Sequence, residues 1–179
     1  MTPEDILHFW FVEAGPKAWW KKSDEFDALV TRRFKGVHLA AHAGELAHWR
    51  LRGRGRLAEV IVLDQFPRNM YRLDARAFAS DSLALVLAQE AISRNIQDGW
   101  PVDWRCFLYM PFMHSESAAI HEQAVMIFDE PGLESNLQFE FAHKKIVDRF
   151  GRYPHRNEQL GRSSTAEEVE FLRQPGSSF

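Results

Sequence analysis

Residues 60–72 read VIVLDQFPRNMYR: four aliphatics in a row, then Asp64, Gln65 and Phe66, a proline, and the polar group Arg68, Asn69 and Arg72. With LAE before it, the apolar run reads as a helix from about Arg56 that stops near Pro67, because proline disfavours helical geometry in the residue preceding it. A carboxylate, two guanidiniums and an amide then stand at the mouth of an apolar helix. An acid at a helix C-terminus is unfavourable by up to about 1 kcal/mol, so partners are required. The stretch has an echo, since VLDQFPRN at 62–69 matches IVDRFGRY at 146–153 in its apolar residues, Asp, Phe, helix breaker and Arg. Two helices are therefore expected to end alike. Asp64 would be served by Arg68 and Arg72, Asp148 by Arg149, Arg152 and Arg156, each set holding its own aspartate or reaching across to the other.

Outward from this stretch the punctuation is helical. Thr2, Pro3 and Glu4-Asp5 read as an N-cap, a proline at the first helical position and acids in the first turn. Ser23 caps a helix with Phe26, Leu29, Val30, Phe34, Val37 and Ala41 on one face. RLRGRGR at 50–56 reads as a flexible basic loop. Asp74 is expected to cap a long helix over residues 75–95, Asp103 to start a short one broken near Pro111, and Ser115 to cap another through about Asp129. LESNLQFEFAHKKIVDRF forms the next and stops at Gly151. TAEE at Thr165–Glu168 is a capping box for the last. No convincing strand alternation is present. The chain reads as all-α, seven to eight helices packed as antiparallel pairs in a single compact domain over residues 1–179.

Composition bounds the functional classes. The chain has 179 residues, 45% of them apolar, and a formal net charge of −3, so a broad basic field for nucleic acid is absent and no nucleic-acid partner is expected. Sixteen of the 22 basic residues are arginine, the better residue for bidentate pairing with carboxylate or phosphate. Cys106 is the sole cysteine, which excludes an intrachain disulfide and a cysteine-rich metal cluster. No apolar run approaches the roughly 18 residues that span a bilayer, and the N-terminus lacks the build of a signal peptide. A cytoplasmic protein without a membrane partner is the expectation.

FWF near the start, LDQFPRNMYR, FLYMPFMHSE, DRFGRYPHRN and LGRSSTAEEVEFL, in this order, resemble the bacterial family labelled domain of unknown function 924. The resemblance covers nearly the whole chain. It implies an all-α, tetratricopeptide-like arrangement of helix pairs and no established activity. No 34-residue repeat accompanies the single echo, so a compact relative with a closed pocket stands beside a peptide-binding solenoid.

Four segments carry the chemistry: Asp64, Arg68 and Asn69; His114, Ser115 and Glu116; His143 and Asp148; and Arg152, His155, Arg156 and Asn157. His143 follows Phe139 by four and precedes Ile146 and Val147, so it faces the apolar side and points inward. Ser115 and Glu116 are expected to begin a helix, where free amides attract anions. His114 or His143 would serve as a general base oriented by Asp64 or Asp148. Arg68, Asn69, Ser115, Glu116, Arg152, His155, Arg156 and Asn157 would bind the ligand. ELAH at 45–48 and EFAH at 140–143 place Glu and His at a spacing used by helical metal sites, but a chain with eight histidines produces such pairs by chance. Neither metal nor cofactor is expected. Three readings follow: a binding module for a small anionic molecule or acidic peptide, a hydrolase or transferase acting on an anionic substrate at the same site, and a scaffold whose polar network only fastens helix ends. The oligomeric state is left open.

Overall fold

Nine α-helices and no strand occur among residues 1–178, the part described by the structure, which is a computed structural model. The helices are α1 (Pro3–His8), α2 (Pro16–Trp19), α3 (Asp24–His42), α4 (Gly53–Met70), α5 (Asp81–Ser93), α6 (Val102–Met113), α7 (Ala118–Phe128), α8 (Glu134–Phe150) and α9 (Ala166–Leu172). A π-helical turn, Phe9–Ala14, continues α1. With α1 and α2 only six and four residues long, the longer helices match the expected number. Among the described residues no helix is long and apolar enough to cross a membrane.

The caps form as the residue types dictate. Asp5 N–H donates to Thr2 Oγ1 while Thr2 N–H donates to the Asp5 carboxylate (3.3 and 2.7 Å), and Thr165 and Glu168 repeat the arrangement at α9 (3.2 and 2.7 Å). Ser23 accepts from Phe26 N–H. Gly151 ends α8 in the left-handed conformation, φ 68°, which costs glycine no Cβ clash.

Four expectations are corrected. Helix α4 runs through Pro67 to Met70 instead of stopping before it. Pro67 has no N–H for the Leu63 carbonyl, and at the next carbonyl, that of Asp64, the Arg68 guanidinium supplies a donor (2.5 Å). α6 likewise contains Pro111. Asp74 does not open the next helix, since α5 begins at Asp81 after a 3-10 turn over Ala75–Ala77. Nor does Ser115 cap α7, which starts at Ala118.

The chain forms two compact units, Met1–Arg72 with Arg76–Pro111, and Leu73–Ala75 with the chain from Phe112 on. In the first, α1, α3 and α5 pack on α4. Every residue from Leu57 to Pro67 is buried, so α4 has no solvent face there. Phe9, Phe34 and Phe66 form an aromatic knot with ring centroids 4.5 to 6.1 Å apart. In the second unit α7 and α8 form an antiparallel pair, and Ile146, Val147 and Tyr153 are buried together with Phe150 and Phe171 against them.

The basic segment RLRGRGR is anchored rather than flexible. Arg50 grips the wholly buried Glu59 with two nitrogens (2.7 and 2.6 Å), Arg54 lies over the Trp104 ring, and Arg56 pairs with Glu90. Gly55 lies so close to the preceding turn that a Cβ there would sit 2.0 Å from the Trp49 carbonyl oxygen. Gly55→Ala therefore forces a backbone shift and should destabilise the protein by about 3 kcal/mol, read as a lower midpoint in urea unfolding. Arg50→Ala leaves the Glu59 carboxylate buried and unpaired, at a cost of about 3–5 kcal/mol. The double change Arg50→Met with Glu59→Leu should recover most of that loss, and a double variant as unstable as Arg50→Ala would show that the charge is not its cause.

Candidate functional site

Arg68, Asn69 and Arg72 fall in the first unit, and each meets a carboxylate of the same unit. Asp64 is fully buried and accepts from Gln65 Nε2 (2.6 Å), with Arg68 at 3.5 Å. Both terminal nitrogens of Arg68 donate to Asp81 (2.9 Å each). Asn69 and Arg72 converge on Asp27, the amide at 2.8 Å and the guanidinium at 2.6 and 2.8 Å. Burial opposes ionisation of Asp27, but the Arg72 fork and the Asn69 amide outweigh it and hold the carboxyl below its ordinary range.

In the second unit, three of the expected segments gather around Tyr153. The ring of this fully buried tyrosine is edged by His121 and His143, with centroids at 6.1 and 5.7 Å. His155 tilts against it at 5.5 Å, and the Arg156 guanidinium lies over it at 4.6 Å. His114, Ser115, Glu116 and His155 are half-buried, forming a rim reached by solvent, whereas Arg156 and Asn157 are buried.

Glu116 accepts the backbone N–H of Tyr153 (2.8 Å) and both Arg162 terminal nitrogens (2.6 and 2.9 Å). Burial alone would raise this carboxyl, but these donors, Arg162 foremost, keep it below its usual value, and Arg156 adds to the pull. Asn157 is held between Ser164 and Arg162 (3.0 Å each). Arg152 forks onto Glu168 (2.7 and 2.8 Å).

Beneath the rim lies a chain of hydrogen bonds. His121 Nε2–H faces two acceptors, the Ser115 carbonyl (2.9 Å) and the Tyr153 hydroxyl oxygen (3.1 Å), and that hydroxyl donates to the Met113 carbonyl (2.6 Å). His121 Nδ1 meets Glu140 Oε1 at 2.6 Å, both side chains fully buried, and Glu140 Oε2 has no hydrogen-bond partner. Burial pushes the Glu140 carboxyl up. His143 points inward as expected; its Nδ1–H donates to the Phe139 carbonyl (2.7 Å) and burial depresses its pKa to about 3, so its imidazole is neutral under ordinary conditions.

The Asp64–Asp148 echo does not carry over into structure. Asp148 is exposed and paired with Lys144 (2.6 Å), Arg152 serves Glu168, and the two aspartates occupy opposite environments. Sequence reasoning also missed His121, Tyr153 and Arg162. His121 had a signal: it lies three and seven residues before Ala124 and Phe128 on the buried face of α7. The spacing of Glu140 and His143 does not yield a metal site, because Glu140 is taken by His121 and His143 by a carbonyl. Among the described residues no group of three or more His, Cys, Asp or Glu side chains is placed to hold a metal ion. Burial raises the Cys106 thiol to about 12, which leaves it unreactive.

The Arg152 fork, ahead of the opposing effect of burial, lowers the Glu168 carboxyl to about 2. A carboxyl whose folded pKa lies below its unfolded value of about 4.3 stabilises the fold above that value and loses this contribution as pH falls toward 2. Glu168→Gln should therefore be less stable than the parent at pH 7, and the gap should close as the pH of urea unfolding is lowered from 5 to about 2.

The model of a family of bacterial proteins of unknown function, DUF924, matches residues 6–176. None of the curated proteins matches. The fold is similar to the solved structure of a protein of unknown function from Agrobacterium tumefaciens, 40% identical, with 95% of this chain and 96% of that one covered and a TM-score of 0.90. The resemblance carried by LDQFPRNMYR, FLYMPFMHSE and DRFGRYPHRN thus holds through the cluster around Tyr153 to the last turns of the chain, which belongs to the bacterial DUF924 family.

Proposed function

We propose that this protein binds a small anionic ligand, a carboxylate or a phosphate, at the rim of the Tyr153 cluster, and that Arg68, Arg72, Arg152 and Arg162 frame the helices without touching the ligand. The observation that carries this reading is the gathering of three sequence segments around one tyrosine, with the half-buried His155 tilted against its ring and the Arg156 guanidinium over it. Imidazoles and a guanidinium offer donors suited to an oxyanion. The framing role follows from the bidentate carboxylates that Arg68, Arg72, Arg152 and Arg162 already hold.

A second reading, acid–base catalysis by a hydrolase or transferase, is favoured by the Glu140–His121–Tyr153 chain, a carboxylate orienting an imidazole beside a hydroxyl. These three side chains are fully buried, so a substrate would meet the rim before it met them. Binding is therefore the better supported function. A cytoplasmic location and the absence of a nucleic-acid partner belong to the same proposal.

Thermal shift and calorimetry against inorganic phosphate, sulfate, dicarboxylates, nucleotides and short acidic peptides test it. A ligand at about 100 times its dissociation constant stabilises the native state by about 2.7 kcal/mol, a rise of several degrees. The rise should vanish in His155→Ala and persist in Arg68→Ala. A rise lost in Arg68→Ala and kept in His155→Ala would transfer the site to the first unit, and no rise across the panel would leave the scaffold reading.

A further inference from the structure

The proposed anion site leaves one aromatic surface of the first unit unused. Ring contacts run without a break from Trp100 to Trp104 (5.7 Å between centroids), on to Phe11 (5.4 Å), Trp19 (5.8 Å) and Trp20 (6.4 Å). Trp20 is 60% exposed and the other four rings are half-buried. Four of the six tryptophans of the chain thus reach the surface in one strip, whereas apolar residues exposed singly call for no explanation. We propose that this strip is a docking surface for an acidic, proline-containing segment of a partner protein.

The strip is ordered before any partner arrives. Phe107, 1% exposed, backs it, with Phe11, Trp19 and Trp20 at 5.7, 4.8 and 5.8 Å. Trp20 lies nearly parallel to Phe107, at 9°, so one indole face is covered and the other is left to solvent. The Trp19 Nε1–H donates to the Trp10 carbonyl (2.8 Å), and the Arg54 guanidinium lies over Trp104. Rings held in this way lose little freedom on binding, and tryptophan is the side chain that most often anchors a protein interface. Neighbouring rings also meet close to right angles, at 78° for Trp100 and Trp104, 82° for Phe11 and Trp19, and 81° for Trp19 and Trp20. The surface is therefore ridged, the relief that receives the rings of a polyproline II segment.

Charge selects the occupant. Lys17, Lys21 and Lys22 flank Trp19 and Trp20 in sequence, are exposed, and form no ion pair among the described residues. Asp98 and Asp103 stand beside Trp100 and Trp104, equally exposed and equally without an ion pair there. A uniformly anionic surface, such as a lipid headgroup layer or a phosphate backbone, would gain at the Trp20 end and be repelled at the Trp100 end. A peptide whose carboxylates gather at one end meets the lysines with them and lays its uncharged prolines toward Trp100.

The probe is a fluorescently labelled synthetic peptide of prolines followed by glutamates, with versions in which lysine replaces glutamate or glycine replaces proline, and vesicles of phosphatidylglycerol as the lipid arm. Binding is read by anisotropy and by the indole N–H signals of the 15N-labelled protein. The expected result is binding of the proline–glutamate peptide that weakens at high salt. It should move the indole signals of Trp19, Trp20, Trp100 and Trp104 and leave those of Trp10 and Trp49, which are 1% and 5% exposed. Trp20→Ala, and separately the triple change Lys17→Gln, Lys21→Gln and Lys22→Gln, should each weaken binding about tenfold. The triple variant should keep the parental midpoint in urea unfolding, because its lysines hold no ion pair. Equal binding of the lysine peptide would overturn the charge assignment, and equal binding of the glycine peptide the requirement for proline. Binding that leaves the four surface indoles unmoved would overturn the location. Vesicles bound in preference to the peptide would make the occupant a membrane, and no binding at about 1 mM peptide, a bare 4 kcal/mol of affinity, would remove the inference.

Discussion

A helix without a solvent face has nowhere to leave a charge unattended, and α4 is such a helix between Leu57 and Pro67. It carries Glu59 and Asp64, both fully buried, where an isolated carboxylate would be intolerable. The neighbouring segments answer with guanidiniums: Arg50 folds back onto Glu59, and Arg68 spans Asp64 and Asp81. The same logic repeats in the second unit, where Arg152 and Arg162 neutralise Glu168 and Glu116. The arginine excess is thus architectural, since a planar fork can satisfy both oxygens of a carboxylate while a lysine ammonium cannot.

Around Tyr153 the fold uses a different device. Two imidazoles are placed in the interior with one carboxylate between them, and burial opposes the charging of the one without it, His143. His121 shares one proton with Glu140, His143 gives its proton to a backbone carbonyl, and the tyrosine hydroxyl hands its own to Met113. From Glu140 through His121 to the Tyr153 hydroxyl, every polar side-chain atom except Glu140 Oε2 has somewhere to direct its bond.

Features decided within one or two turns were legible beforehand. The caps at Thr2 and Ser23 and the box at Thr165 depend on a side chain reaching nearby backbone, the Gly151 stop on a residue without a Cβ, and each formed. The inward face of His143 was equally plain from its spacing to Ile146 and Val147. What failed were inferences requiring the environment. Pro67 was read as a terminator because its effect on the preceding residue is local, yet the apolar surroundings of α4 and the Arg68 donor hold the helix through it. The echo between Asp64 and Asp148 was real as a pattern, but one aspartate is sealed in and the other stands in water, a difference that the similar strings cannot express. Arg162 lies 46 residues from Glu116, and nothing local announces such a pairing.

The clamp between Arg50 and Glu59 bears on how this chain can change over generations. Losing either partner alone strands a charge, whereas a line of descent that replaces both at once can keep the fold. Relatives should therefore differ at these positions jointly, so that the pair behaves as a single inherited character and Glu59 reveals what residue 50 must be.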